Sequence, residues 1–452
     1  MAATQPWKMD QDQFFHTSGA TDPVWIHDVP YSKIPTFPKL EQDTEADVLI
    51  IGSGISGTSI AYELVKQGKH VVMIEARDML SGETGRTSGH LSSDLDSAYQ
   101  EIVSKHGKDG ARLAAESQQW AVERVGEISK ELGIECEYRR LKGYTVSQYE
   151  KGTKDHDDDI ADLQKEAQTA ADLGLDCSWQ QNFAIQGWDG GKDQRDAIVY
   201  NNQATFHPTK YVVGLLEWLK KQSNFQAYSR TRAVNIETKG LNIPIVNVHI
   251  GDKTVETSTL DGQTIKSESV VEATCVPLQK LSLIVEQEWM RTYCIAMKIP
   301  KGAMEDCLVY DSAEAYKYAR LTACDEQNDY FIVGGCDHAV GQEADYDARY
   351  KELEDWSRAR FTKVGQVDYR WSGQVFEPVD ILAFIGRATG KDRVYVVTGD
   401  SGNGLTHGTI AGKLISDMIV GNANPWQDIY DPQKRLGSIA KSLPHMVAHD
   451  VQ

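Results

Sequence analysis

The stretch Asp47-Val48-Leu49-Ile50-Ile51-Gly52-Ser53-Gly54-Ile55-Ser56-Gly57 decides the reading of this chain. It opens as a short, largely β-branched run of buried-strand type and closes with glycines spaced G-x-G-x-x-G. Ser59 to Gln67 is helical in composition and Val71-Val72-Met73-Ile74 is a second buried strand, so a β-α-β unit closes within about 30 residues. In such a unit the first glycine permits the tight turn and the second lets a pyrophosphate approach the backbone. The third lets the helix pack close on the strand, with phosphates at the helix N-terminus. Glu75 ends the second strand about 20 residues on, where a carboxylate accepts hydrogen bonds from ribose hydroxyls. A lone G-x-G-x-x-G can be a glycine-rich turn of no function. With both strands, the helix and the acid in place, Gly52, Ser53, Gly54, Ile55, Ser56, Gly57 and Glu75 read as a dinucleotide site.

The 452 residues carry 47 Lys+Arg against 66 Asp+Glu, a net charge of −19. That balance argues against nucleic acid or an anionic membrane as the main partner, since both favour basic patches. The 7 cysteines are scattered with no C-x-x-C pair, which fits free thiols in a reducing compartment and no metal site. No apolar h-region or bilayer-length stretch is evident, so the expected location is cytoplasmic. Residues 1–44 hold Pro23, Pro30, Pro35 and Pro38 and read as an arm laid over the body or partly disordered.

Further along, residues 109–132 suit a long amphipathic helix. The acidic run Asp155 to Asp159 reads as the solvated start of a helix over Ile160 to Leu173, where acids complement the helix dipole, rather than as a metal site. A helix is expected at Pro208 to Lys221, with short strands at Arg232–Thr238, Ile243–Ile250 and Val270–Thr274. A β-rich stretch spans 291–299, 316–323 and 329–335. A helix over 347–363, strands at 366–377 and 393–398, and a final helix from near Thr406 to about Ile419 complete the chain.

Glu75-Ala76-Arg77-Asp78, followed by the loop Ser81-Gly82-Glu83-Thr84-Gly85-Arg86-Thr87-Ser88-Gly89-His90-Leu91, resembles the flavin-binding start of the D-amino-acid-oxidase-like superfamily of glycine, sarcosine and related amine oxidases and dehydrogenases. The resemblance implies that Ala76, Arg77, Thr84, Gly85, Arg86, Thr87, Ser88, Gly89, His90 and Leu91 lie along FAD. Downstream, His207-Pro208, Arg232-Ala233-Val234, Glu272-Ala273-Thr274, and Glu377-Pro378-Val379-Asp380 with Phe384-Ile385-Gly386 follow the family order, over roughly 45–425 in all. They imply further cofactor contacts at Val234, Ala273 and Gly386. The loop Gly399 to Gly408 would place Gly402, Asn403, Gly404, Leu405 and Thr406 at a helix start facing the flavin pyrimidine edge. There the helix dipole stabilises negative charge on the reduced ring.

The likeness is nearest to a branch that often carries a C-terminal Rieske domain. This sequence has no cysteine beyond Cys336 and no Cys-x-x-His, so it cannot build that cluster. Gly373 stands where some relatives attach flavin to a cysteine, which implies non-covalent FAD; His90 is the alternative attachment point or a hydrogen-bonding neighbour of the ring. Phe331 to Gly335 lacks the lysine that oxidases of the family place near the flavin, which points to slow reaction with oxygen. Tyr316, Tyr318 and Arg320 alternate on one strand face, where Arg320 would bind a carboxylate bidentately. Trp371 and His407 are further catalytic candidates, with packing as the plainer reading.

The expected fold is α/β: a Rossmann-type FAD-binding domain (45–110, 203–278 and 366–425) interleaved with a mixed-sheet α+β substrate domain (111–202 and 279–365), and a tail over 426–452. The expected function is oxidation of a C–N bond in an amine or amino acid by hydride transfer to FAD, with hydrolysis of the imine. Oxygen or a separate acceptor would take the electrons. Alternatives are a tailoring oxidase or dehydrogenase for a larger metabolite, and a low-turnover flavin-binding redox sensor.

Overall fold

Val48–Ile51 and Val71–Ile74 are apolar on both faces, and strands of that kind need neighbours on each side and cover above and below. The computed structural model describes residues 19, 21–191, 196–238, 241–243, 248–250, 254–278, 287–313, 316–343 and 345–433. In it Thr44–Ile51 pairs in parallel with Val71–Ile74 on one side and with Thr264–Cys275 on the other. Phe225–Tyr228 extends one edge in parallel, Val394–Thr398 extends the other, and Phe384–Arg387 closes it antiparallel. Thr264–Cys275 also pairs antiparallel with Val255–Thr259, which pairs with Ala233–Thr238.

The helices Ile55–Lys66, Tyr99–Leu132, Pro208–Leu219 and Gly404–Val420 bury their apolar faces in one cluster with strand residues such as Val48, Ile50, Val71 and Met73. Ile55–Lys66 and Gly404–Val420 pack closely because Gly408 and Gly412 offer no side chain. A Cβ at Gly408 would lie 2.8 Å from Ile55 Cγ2, and one at Gly412 2.9 Å from Ser59 Cβ. Two helix N-termini are thereby drawn together at the C-terminal end of the parallel strands.

The second sheet is ordered Val367–Pro378, Gln287–Pro300, Asn328–Ala339, Lys317–Ala323, Leu308–Asp311, Arg139–Val146, Ala197–Thr205, His90–Leu91, with Cys177–Gln180 alongside Ala197–Thr205. Its neighbours are antiparallel except for the parallel pair Leu308–Asp311 and Arg139–Val146. Two segments expected in the dinucleotide unit pair in this sheet. Val367–Pro378 runs the length of Gln287–Pro300 in this sheet, and His90–Leu91 pairs with Ala204 and Thr205, so 366–378 and 90–91 build the second sheet rather than the dinucleotide unit.

The helices follow the expected order. Tyr99–Leu132 is interrupted at Gly107 (φ 72°, ψ 169°), a non-helical residue that kinks it, and the segment beyond that kink is the helix expected over 109–132. The acidic run is a helix start: Lys154–Asp172 is capped by the Thr153 hydroxyl, which accepts from His156 N, and Asp155 and Asp157 fall in its first turn. In place of one strand over Ile243–Ile250, Leu241–Ile243 and Val248–Ile250 pair antiparallel, and 244–247 lie outside the described residues. Residues 1–18 and 20 of the arm, 279–286 of the substrate segment and 434–452 of the tail also lie outside them. Among the described residues no helix is long and apolar enough to cross a membrane.

The described part of the arm is packed into the body. Trp25 is 1% exposed, donates from Nε1 to Thr87 O (2.7 Å) and lies under the Arg320 guanidinium. Lys210 Nζ holds it electrostatically, bridging Asp28 on the arm and Glu137 on the body at 2.6 Å each. Burial would raise the Glu137 carboxyl, but the hydrogen bond and charge of Lys210 outweigh it and hold the pKa at about 2. A depressed carboxyl contributes stability that is complete above its unfolded value near 4.5 and is lost as pH falls through about 2. Lys210→Met is therefore expected to cost about 2 kcal/mol at neutral pH. It should also move the acid unfolding transition to higher pH, as read by circular dichroism melts across a pH series.

Candidate active site

At Gly52 the chain turns from strand to helix with φ +109°, and any Cβ there would strike Ala273 O on the neighbouring strand. The helix Ile55–Lys66 starts at Gly54, which has no side chain to cap it, so the positive end of its dipole faces the space that an anion would occupy. A Cβ on Gly54 would fall 2.9 Å from Thr84 Oγ1, which accepts from Ile55 N at 3.1 Å. Glu75 Oε2 accepts from Ser53 N (3.1 Å) and Ser53 Oγ (2.9 Å), and Oε1 accepts from Arg77 N (3.0 Å), so the turn holds the carboxylate in place.

These groups form one end of a cavity of about 350 Å³. Gly52, Ser53, Gly54, Ile55, Ser56 and Glu75 line it, followed by Ala76, Arg77, Thr84, Arg86, Thr87, Ser88 and His90, with Ala273 from the neighbouring strand. At the far side it meets Gly402, Asn403, Gly404, Leu405, Thr406 and His407, the start of Gly404–Val420, where again no side-chain cap is made.

Other residues expected at the cofactor do not line the cavity. Gly57 lies under the turn, where a Cβ would strike Gly52 O, and Gly85 abuts Leu80 O. Gly89 meets Arg320 and Trp25, Leu91 is fully buried in the second sheet, and Gly386 abuts Asp431 and Pro432. Val234 points outward, 49% exposed, and Thr231, Arg232 and Ala233 supply the wall instead.

Two catalytic candidates are corrected in the same way. Arg320 is wholly buried off the cavity, with its guanidinium donating to Gly89 O, Phe206 O and Leu321 O. Carbonyls freed where the sheet, loop and arm meet need donors, and Arg320 supplies them beneath Trp25. Trp371 is buried and donates from Nε1 to Arg86 O at 2.8 Å, so it supports the loop from behind.

His90, Tyr318 and His407 do face the cavity. Burial, aided by the Arg320 charge, lowers the His90 pKa to about 3. Its Nδ1 is 2.9 Å from Ser88 Oγ and its Nε2 3.3 Å from Ala319 O, so the neutral ring has both nitrogens engaged. Burial lowers His407 to about 4; its Nδ1 is 3.1 Å from Asp400 O, and its buried Nε2 has no hydrogen-bond partner.

The second sheet roofs the cavity with Thr292, Tyr310, Tyr316, Tyr318, Asp337 and Gly373 to Val375. The Tyr318 and Tyr310 rings lie 5.1 and 5.4 Å from His90. Asp96 reaches in from the loop before Tyr99, and its Oδ2 accepts from Tyr316 Oη at 2.6 Å. Asp96, Asp337, Tyr310 and Thr292 carry no local sequence signal, because long-range pairing alone brings them here.

The arrangement fits FAD: a glycine turn for a diphosphate, a fixed carboxylate for a ribose, two open helix N-termini, and an unpartnered buried His407 Nε2 at the far end. Gly54→Val is expected to yield folded protein without flavin. Glu75→Ala should retain flavin but bind it more weakly by about 1.5–3 kcal/mol, measured by apoprotein reconstitution.

Comparison with known proteins agrees. The family model described as DAO, FAD dependent oxidoreductase, matches residues 47–418. A putative Rieske 2Fe-2S iron-sulfur protein, YhfW, of Bacillus subtilis (strain 168) is 28% identical over 89% of this chain and 74% of its own length. Gamma-glutamylputrescine oxidoreductase of Escherichia coli (strain K12) is 23% identical over 87% of this chain and 88% of its own. Among solved structures, glycine oxidase from Geobacillus kaustophilus shares the fold with a TM-score of 0.70 at 16% identity, covering 87% of this chain and 100% of that one. L-proline dehydrogenase from P.horikoshii does so with a TM-score of 0.65 at 18% identity, covering 88% and 99%. The match over residues 47–418, which include the turn and the closing helix, places this protein in the DAO family of FAD-dependent oxidoreductases.

Proposed function

We propose that the protein oxidises a C–N bond of an amine or amino-acid-like substrate to an imine, which water then hydrolyses. The observation that carries this reading is the continuity of one cavity from the Gly52 turn to a roof of Tyr310, Tyr316 and Tyr318. A small substrate held under that roof lies beside whatever the turn and the two helix starts hold. Bound FAD would supply the two-electron acceptor for the hydride leaving the substrate carbon.

This chain's residues have simpler tasks. The turn at Gly52 to Ser56 and Glu75 would hold the dinucleotide half, and Asn403 to Thr406 would place the positive end of a helix dipole where negative charge gathers. The tyrosines exclude water and orient the amine. His90 and His407, both held neutral at physiological pH, shift no charge in the site. Such oxidation needs an uncharged amine and often no dedicated base.

The cofactor is proposed to be non-covalent. A Cβ on Gly373 would already lie 3.2 Å from Glu83 Oε2, and both nitrogens of His90 are engaged. The cysteines are free thiols, which supports a cytoplasmic location.

Anaerobic titration of the holoprotein with small amines and amino acids is expected to bleach the flavin, and acid should release the flavin from the polypeptide. Failure of every small amine and amino acid to bleach it would overturn the reading. No lysine or arginine comes from the second-sheet lining. Stopped-flow reoxidation in air-saturated buffer is therefore expected to be slower than turnover with a phenazine or quinone acceptor.

A further inference from the structure

The strands Gln287–Pro300 and Asn328–Ala339 lose register between Arg291 and Tyr293, so that Thr292 opposes both Cys336 and Asp337. This is a β-bulge, a device that re-aims a side chain. Its backbone is costly: Cys336 has φ 60°, and Gly335 has φ 127° in a place where any Cβ would strike Tyr316 O. The result is that Asp337 faces the cavity. Thr292 hydrogen-bonds to its carboxyl, while Oδ1 is shut off from solvent and has no partner.

Asp96 comes to the same place from the other side. Its Oδ2 takes the Tyr316 hydroxyl and occupies space that only a glycine at 402 leaves open. Enclosure raises both carboxyls, Asp337 to about 7 and Asp96, whose side chain is still accessible, to about 8; the charge of Asp337 adds to this for Asp96, and that of Glu377 for both. Two like groups so placed favour a cation between them. The wall around them is aromatic, with Tyr316 and Tyr318 ring centroids 5.6 Å apart, and such faces also attract ammonium.

Among the described residues the cation that acts on Asp337 is Lys317, which lies off the cavity lining and is paired with Glu352 at 2.8 Å. The part of the lining that comes from the second sheet has no lysine or arginine, and Arg320 is committed to backbone carbonyls. Arg77 and Arg232 stand at the dinucleotide end beside Ala76 and Ala233. Arg86 lines the cavity too; it donates from Nε to Ser372 O and from Nη2 to Thr21 O, its Nη1 has no hydrogen-bond partner, and the groups that act on its charge are Glu83, Tyr31, Tyr350 and Asp22 rather than the two aspartates.

We infer that Asp96 and Asp337 form an ammonium-binding subsite, so that the substrate carries a second positive charge beyond the amine being oxidised: a diamine or polyamine rather than an α-amino acid. The inference rests on the reading of the site as an amine-oxidising one.

The test uses FAD-loaded protein and reads binding from the flavin difference spectrum, with bleaching followed separately. The probes are n-butylamine, 1,4-diaminobutane and glycine. The diamine is expected to bind at least tenfold more tightly than the monoamine, and glycine more weakly than either. In Asp337→Asn and Asp96→Asn, each checked for flavin content and melting temperature, the ratio of diamine to monoamine affinity should fall to within about twofold. Equal affinities in the wild type, a ratio unchanged in both variants, or tightest binding of glycine would overturn the subsite. Amines that bleach the flavin without diamine preference defeat the subsite alone. A diamine that binds through the aspartates without bleaching supports the subsite and defeats the oxidase reading. If nothing binds or bleaches, both fail.

Discussion

Everything in this molecule is arranged around one close approach of backbone to backbone. At Gly52 the chain passes so near Ala273 O that no side chain fits, and that contact ties the first strand of the dinucleotide unit to Thr264–Cys275 as the chain turns into a helix. The turn leaves the first amides of Ile55–Lys66 facing a cavity. Gly408 and Gly412 then let Gly404–Val420 lie against the same helix, and a second positive helix end reaches the same space. A side chain at any of these glycines would push apart elements whose nearness creates the site.

The electrostatics of the cavity follow from that layout and from the sheet above it. The floor gathers partial positive charge at two helix starts, which suits a diphosphate and an electron-rich ring. The roof has the opposite character: tyrosines and two raised carboxyls, with no cation of its own. Between them His90 and His407 are held neutral, largely by burial, so the groups of the lining whose charge changes near neutral pH are the roof carboxyls Asp337 and Asp96. The arm has a part in this. Trp25 covers the Arg320 guanidinium, which in turn holds the carbonyls of Gly89 and Phe206, so the loop that carries His90 is fixed from behind.

The sequence by itself determined the parts whose cause is local. A strand, a glycine turn, a helix and an acid within one short segment have a clear physical use, and Gly52 to Ser56, Glu75, much of the hydroxyl-rich loop and the start of the closing helix line one cavity, while Gly57, Gly85, Gly89 and Leu91 do not. Where the reading failed, local pattern was a poor guide to direction. Arg320 alternates correctly with Tyr318, yet it ends against carbonyls that arrive from positions 89 and 206. Val367–Pro378 looked like part of the dinucleotide unit because it precedes the last flavin segment, but its pairing with Gln287–Pro300 puts it in the other sheet. Only the tertiary structure decided which acids meet. Asp96 precedes a helix and Asp337 sits on a bulge 241 residues later (337 − 96), and neither position carries a motif. Register between distant strands aims those side chains, and one extra residue in a ladder reverses a direction that no local pattern records.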